Sequence, residues 1–141
     1  MRTVKFRGKR CSDGKWAYGY FVESHRSWNG HKPHKSWILD SPITNGGWFA
    51  LMGRTAVDDE TVSQFTGLYD KNGKEIYEGD VVKCGDFIYE VCYDGIRFAS
   101  FVLIRKGDMF KHYFGEAMEA TECEIIGNIH DNPELLEGGE K

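Results

Sequence analysis

TVSQFTGLYDKNGKEIYEGDVVK, Thr61 to Lys83, carries two backbone instructions in close succession. Asp70-Lys71-Asn72-Gly73 separates Phe65-Thr66-Gly67-Leu68 from Glu75-Ile76-Tyr77, and an Asn-Gly pair accepts the positive φ of a tight reversal at little steric cost. A hairpin is predicted there. Tyr77-Glu78-Gly79-Asp80-Val81-Val82 then sets a permissive Gly and a backbone-bonding Asp ahead of a β-branched pair, the way the first long strand of an SH3-like barrel begins. Gly67, Asp70, Asn72, Gly73, Gly79 and Asp80 are therefore the positions on which turn and barrel depend. Neither instruction specifies a reaction.

Outward from this stretch, the same punctuation continues. Strands are expected near Arg2 to Gly8 and Lys15 to Val22, joined by Cys11-Ser12-Asp13-Gly14, whose Asp-Gly is a hairpin signal. Residues 23 to 35 (ESHRSWNGHKPHK) are polar, with Gly, Pro and three His, and read as a loop. Short strands are expected at Ser36 to Leu39 and at Trp48 to Met52, separated by Asp40-Ser41-Pro42 and the Asn45-Gly46-Gly47 turn. Asp58-Asp59-Glu60 caps a turn or two of helix, because side-chain oxygens and acids favour a helix N-terminus. Further strands are expected near Val81 to Cys84, Phe87 to Tyr93, Ile96 to Arg105 and Glu122 to Ile129, with Asp94-Gly95 as a turn. Asn132-Pro133-Glu134 then opens a short terminal helix. The chain reads as mainly β: a strand-rich N-terminal region, 1–59, with a polar loop, and a C-terminal small SH3-like β-barrel, 60–141, with few short helices.

These residues also carry a family resemblance. Gln64 to Leu68, Asp70 to Val82, Ile126-Gly127-Asn128-Ile129 and Asn132-Pro133-Glu134-Leu135-Leu136, with Val4 to Gly8 and Lys15 to Gly19 at the front, resemble the YopX family of largely phage and prophage proteins. The span from His25 to Asp59 departs from the pattern. What the resemblance implies is an accessory protein of a phage or integrated element; it implies no reaction.

Composition bounds the rest. With 141 residues, 40% hydrophobic and 28% charged, the chain buries one ordinary core or two small ones. Aromatic residues make up 14% and glycines number 17, a balance that favours short strands and turns. The longest apolar run of note, Trp48 to Met52, is far short of the roughly 20 residues of a membrane-spanning helix. Met1 to Arg10 is basic but no apolar segment follows it, so a secretory signal is absent and a cytoplasmic location in a bacterial host cell is expected. Cys11, Cys84, Cys92 and Cys123 are widely spaced and read as reduced thiols, Cys84 and Cys92 as small apolar fillers within strands. Cys11, beside Arg10 and near Lys9, is the one thiol in a basic setting, without a paired His or Asp in view.

Charge is unevenly distributed. Met1 to Trp37 holds nine Lys or Arg against two acids, a formal +7, whereas residues 38 to 141 hold nine bases against twenty acids, a formal −11. Lys5, Arg7, Lys9, Arg10 and Lys15, interleaved with Phe6, Trp16, Tyr18, Tyr20 and Trp28, are candidates for phosphate contact and base stacking. The plainer reading has Lys5 and Arg7 as the solvent-facing positions of a half-buried strand, and Trp16, Tyr18 and Tyr20 as one core-packed face of the next.

Other chemical constellations are thin. His25, His31 and His34 have spacing suited to zinc or nickel but lack a fourth ligand, and Asp58-Asp59-Glu60 lacks the loop of a calcium site. The phosphate, dinucleotide, esterase and metalloprotease signatures are absent. No catalytic residue, metal or cofactor is assigned. The expected function is non-enzymatic interaction or assembly, with a homo-oligomer or another phage or host protein as partner and no membrane. The first alternative is a nucleic-acid-associated accessory protein; the second is a small enzyme with an unrecognised site.

Overall fold

Alternation of apolar and polar residues, broken by Asp-Gly and Asn-Gly turns, builds antiparallel strands throughout the chain. The structure, a computed structural model, describes residues 3–23, 36–40, 53–96, 99–108, 111–114 and 119–137. It divides into two compact units, Met1–Gln64 and Phe65–Lys141. Among the described residues the chain is mainly β.

In the first unit, β1 (Phe6–Lys9), β2 (Trp16–Glu23), β3 (Ser36–Leu39) and β4 (Arg54–Ala56) pair antiparallel in the order β4-β3-β2-β1. The β1–β2 connection is the expected hairpin. Gly14 N donates to Arg10 O at 2.8 Å, and Asp13 Oδ1 accepts from Lys15 N at 3.0 Å. The expected strand at Trp48 to Met52 and the turn at Asn45-Gly46-Gly47 lie outside the described residues. Asp58 caps a short 3-10 turn, Asp59–Thr61, by accepting from Glu60 N at 3.1 Å. Thr61 Oγ1 in turn accepts from Lys9 N at 2.8 Å, fastening this turn to β1. Ile38, Leu39 and Val57 are buried, and the Phe6 and Phe21 rings lie 5.6 Å apart.

β5 (Ser63–Tyr69) begins in the first unit, where Ser63 and Gln64 pair with Arg7 and Phe6 of β1, and ends in the second, where it pairs with β6 (Glu75–Tyr77). The second unit then holds β7 (Asp80–Cys84), β8 (Phe87–Asp94), β9 (Ser100–Ile104), β10 (His112–Tyr113) and β11 (Cys123–Asn128), in the order β10-β9-β8-β7-β11. Two short helical pieces, a 3-10 turn Ala120–Glu122 and α1 (Glu134–Glu137), complete it. Ile76, Val82, Cys84, Tyr89, Val91, Leu103, Ala120 and Cys123 form its core.

Two expectations are corrected here. β7 to β11 form an open sheet with β10 and β11 as its edges, not a closed SH3-like barrel. The local signals around Gly79-Asp80 specify a strand start and carry no information on whether the sheet closes. Second, Cys84 and Cys123 are not reduced thiols but a disulfide. They stand directly opposite each other on β7 and β11 with Cα atoms 4.4 Å apart, the spacing at which opposed side chains approach most closely. Sequence spacing of 39 residues gave no sign of that juxtaposition.

Candidate functional site

Register decides which of the basic and aromatic residues meet. Arg7 is opposite Tyr18 and Lys9 opposite Trp16 across β1 and β2. Tyr20 is opposite Leu39 and Val22 opposite Trp37 across β2 and β3, and Leu39 is opposite Arg54 on β4. Directly opposed residues share a face, and so do alternate residues along each strand. Lys5, Arg7, Lys9 and Arg54 therefore lie on the same face as Trp16, Tyr18, Tyr20 and Trp37. The other face carries the partly buried Phe6 and Phe21 and the buried Ile38, and buried Leu39 lies on the cation face, opposite Tyr20.

The cations lie over the rings. Arg7 sits 4.3 Å and Lys9 5.4 Å from the centre of the Trp16 ring, Lys5 6.0 Å from Tyr18, and Arg54 4.3 Å from Trp37. Each such contact contributes about 0.5–1 kcal/mol at an exposed position and about 2 kcal/mol when desolvated. Arg7 is the desolvated member, only 5% exposed, with Nε donating to Ser63 Oγ at 3.2 Å. Tyr18 and Tyr20 remain 47% and 43% exposed. The plainer sequence reading is thus corrected twice: Arg7 is buried rather than solvent-facing, and the Tyr18 and Tyr20 rings are surface rather than core. Strand alternation was right in β1 and in β2; the register that lays one row beside the other was not in it.

Arg10 and Lys15 stand outside this face, at the β1–β2 hairpin. Arg10 Nε donates to Asp13 Oδ1 at 2.9 Å and the two form an ion pair. That hydrogen bond holds the Asp13 carboxyl below, and the Arg10 guanidinium above, their ordinary pKa values. Trp37, Arg54 and Ser63 are the contributors that sequence reasoning missed. Arg54 begins a strand not expected there, and its ring partner Trp37 lies in another strand.

The turn residues form a structural site in the second unit. Asp70 is buried; its Oδ1 accepts from Asn72 N at 2.8 Å and Lys74 N at 2.9 Å, and its Oδ2 from Ile125 N at 3.1 Å. Burial pushes its pKa up, but the three backbone donors outweigh burial and the carboxyl sits below its ordinary value. Gly73 closes the turn at φ 78°, its N donating to Asp70 O at 3.0 Å. Gly67 belongs to a register break in β5, between Phe65 and Tyr69, where Thr66 Oγ1 donates to Ile76 O at 2.7 Å. Gly79, at φ 86°, exchanges backbone hydrogen bonds with Val91 and Ile129, and buried Asp80 accepts from Tyr77 N at 2.8 Å. These hydrogen bonds fix the path of the chain through the turn and into β7.

Cys11 is exposed beside an open hollow of about 470 Å³ lined by Lys9, Arg10, Gly14, Asp58 and Asp59, none of them a histidine base. Cys92 is half-buried, and burial, followed by the neighbouring Glu90 carboxylate 2.6 Å from its sulfur, pushes its thiol pKa well up, which opposes thiolate chemistry. His25, His31, His34 and Trp28 lie outside the described residues. Among the described residues no group of His, Cys, Asp or Glu is placed to hold a metal ion, and no helix is long and apolar enough to cross a membrane.

The family model described as YopX protein matches residues 5–137. No curated protein matches the chain. Among solved structures it is similar to the crystal structure of protein EF1440 from Enterococcus faecalis, at 21% identity over 96% of this chain and 99% of that one, with a TM-score of 0.47.

Proposed function

The chain belongs to the YopX family, and from that premise we propose that it is a non-enzymatic interaction module whose contact surface is the basic, aromatic face of β1 to β4. One observation carries the reading. Tyr18 and Tyr20 stay nearly half exposed beside Lys5, Lys9 and Arg54, on a face whose described register positions in the first unit include no acid. Exposed aromatic rings framed by cations are what binding surfaces concentrate. An accessory role for a phage or prophage belongs to the same proposal, supported by the family resemblance.

Hydroxyl-radical footprinting of the whole chain tests it, with and without material crosslinked to it in host cells. Protection of Tyr18 and Tyr20, and loss of the crosslinked partner from a Tyr18→Ser/Tyr20→Ser variant with an unchanged circular dichroism spectrum, is the expected outcome. A partner held equally well by the variant would place the contact elsewhere and defeat the reading.

A further inference from the structure

We infer that the occupant of this face is single-stranded nucleic acid, stacked on Tyr18 and Tyr20 and held through its phosphates by Lys5, Lys9 and Arg54. The inference rests on the reading of that face as the contact surface and adds the chemistry of what it contacts. Charge complementarity is the first argument. Residues 1–64 hold ten Lys or Arg against six acids, a formal +4, while residues 65–141 hold eight against sixteen, a formal −8. Among the described residues Lys5, Lys9 and Arg54 lie over rings of this face, so a ligand that is at once polyanionic and rich in flat π-surfaces satisfies both halves of it.

The arrangement of the rings is the second argument. Tyr18 and Tyr20 alternate along β2, which sets their Cα atoms about 6.7 Å apart on one face. Four-stranded sheets with aromatic residues on an open face stack two or three unpaired bases in this manner, whereas a duplex keeps its base faces hidden. Lys5 lies over the Tyr18 ring at one side of the row, and Arg54 over Trp37 at the other, so cations flank the two rings. A second copy docked face to face meets an opposing term, since two-fold symmetry would set Lys5, Lys9 and Arg54 against their own equivalents.

Fluorescence anisotropy of the whole chain with labelled twelve-nucleotide single strands, one of deoxythymidine and one of uridine, tests this, with a duplex of equal length as the comparison. Three phosphate contacts give a log–log salt slope of about −2 for a single strand, or roughly 20-fold weaker binding at 200 mM than at 50 mM salt. Tyr18→Ser/Tyr20→Ser is expected to weaken binding at least about 5-fold. Arg54→Gln, at an exposed position of β4, is expected to flatten the slope by about 0.7. Binding of one strand type alone assigns DNA or RNA and supports the inference. Absence of single-strand binding, or a preference for the duplex, overturns it. If light scattering then shows a self-associated chain that the double tyrosine variant dissociates, the interaction-module reading stands with a second copy as occupant. Single-strand binding that survives all three substitutions overturns both.

Discussion

The two units differ in the charges they fix most firmly, although a cation over an exposed ring occurs in both, the second having Arg105 4.2 Å from the centre of the Phe87 ring. In the second, the carboxylates of Asp70 and Asp80 are buried and spend their oxygens on backbone N–H groups, and a disulfide joins β7 to β11 within the core. In the first, Lys5, Lys9 and Arg54 lie over the Tyr18, Trp16 and Trp37 rings, and Tyr18 and its neighbour Tyr20 stay near half exposed. A buried carboxylate surrounded by donors stabilises one backbone path. A cation over an exposed ring contributes less to stability than a buried, fully hydrogen-bonded carboxylate. The contrast matches the proposal that recognition belongs to the first unit, and each side of it can be broken separately.

The largest effect is expected from the disulfide. Closing 39 residues removes loop entropy from the unfolded chain equivalent to about 4 kcal/mol. Thermal unfolding with and without a dithiol reductant under denaturing pre-treatment should show the reduced chain melting well below the oxidised one, and Cys84→Ala/Cys123→Ala should melt like the reduced chain. Coincident melts would mean that the β7–β11 register, and not the bond, supplies the constraint.

Asp70→Asn comes next, at about 2–3 kcal/mol, because an amide has one acceptor oxygen for three N–H donors and turns its own N–H group toward one of them. It also has a pH signature. The Asp70 pKa is depressed in the folded state, so its contribution is present above the unfolded carboxyl value near 4 and is lost as pH falls through the lower folded value. Urea midpoints measured from neutral pH down through that window should fall less steeply for Asp70→Asn than for the wild type. Parallel curves would remove Asp70 from its central place in the second unit.

Gly73→Val separates backbone strain from packing. A Cβ at Gly73 has nothing within 4 Å, so any loss comes from holding a β-branched residue at φ 78°. About 1–2 kcal/mol is expected by chemical denaturation, and an unchanged midpoint would show the turn relaxing to another type. The smallest effect belongs to the first unit. Arg54→Gln removes the stack on Trp37 and should cost about 0.5–1 kcal/mol. A loss of several kcal/mol would make that cation structural and erase the contrast between the units.

Much of the fold was legible because its signals are local. Asp13-Gly14 and Asp70 to Gly73 do form turns, and Asp58 does cap a helical turn. Ser36–Leu39 is a strand at the residues expected, and the short helix follows Asn132-Pro133. The Asn132 side chain, however, accepts from Asn128 N at 3.4 Å. β10 escaped notice because His112 and Tyr113 are too few to show alternation. β9 starts at Ser100 rather than near Ile96, since Asp94 Oδ1 takes Ile96 N into the turn that precedes it.

The sequence by itself determined the mainly β character, the places where the chain reverses, the family and the basic front, because each follows from residues near one another in the chain. Tertiary structure alone decided that the Asp70 carboxylate reaches across to Ile125, that Cys84 meets Cys123, and that the cations of β1 share a face with the rings of β2. All three depend on strand register. A slip of one residue would have turned every side chain of β2 to the opposite face without altering its alternation, so no pattern within a strand could have told whether Tyr18 and Tyr20 belonged to a core or to a surface.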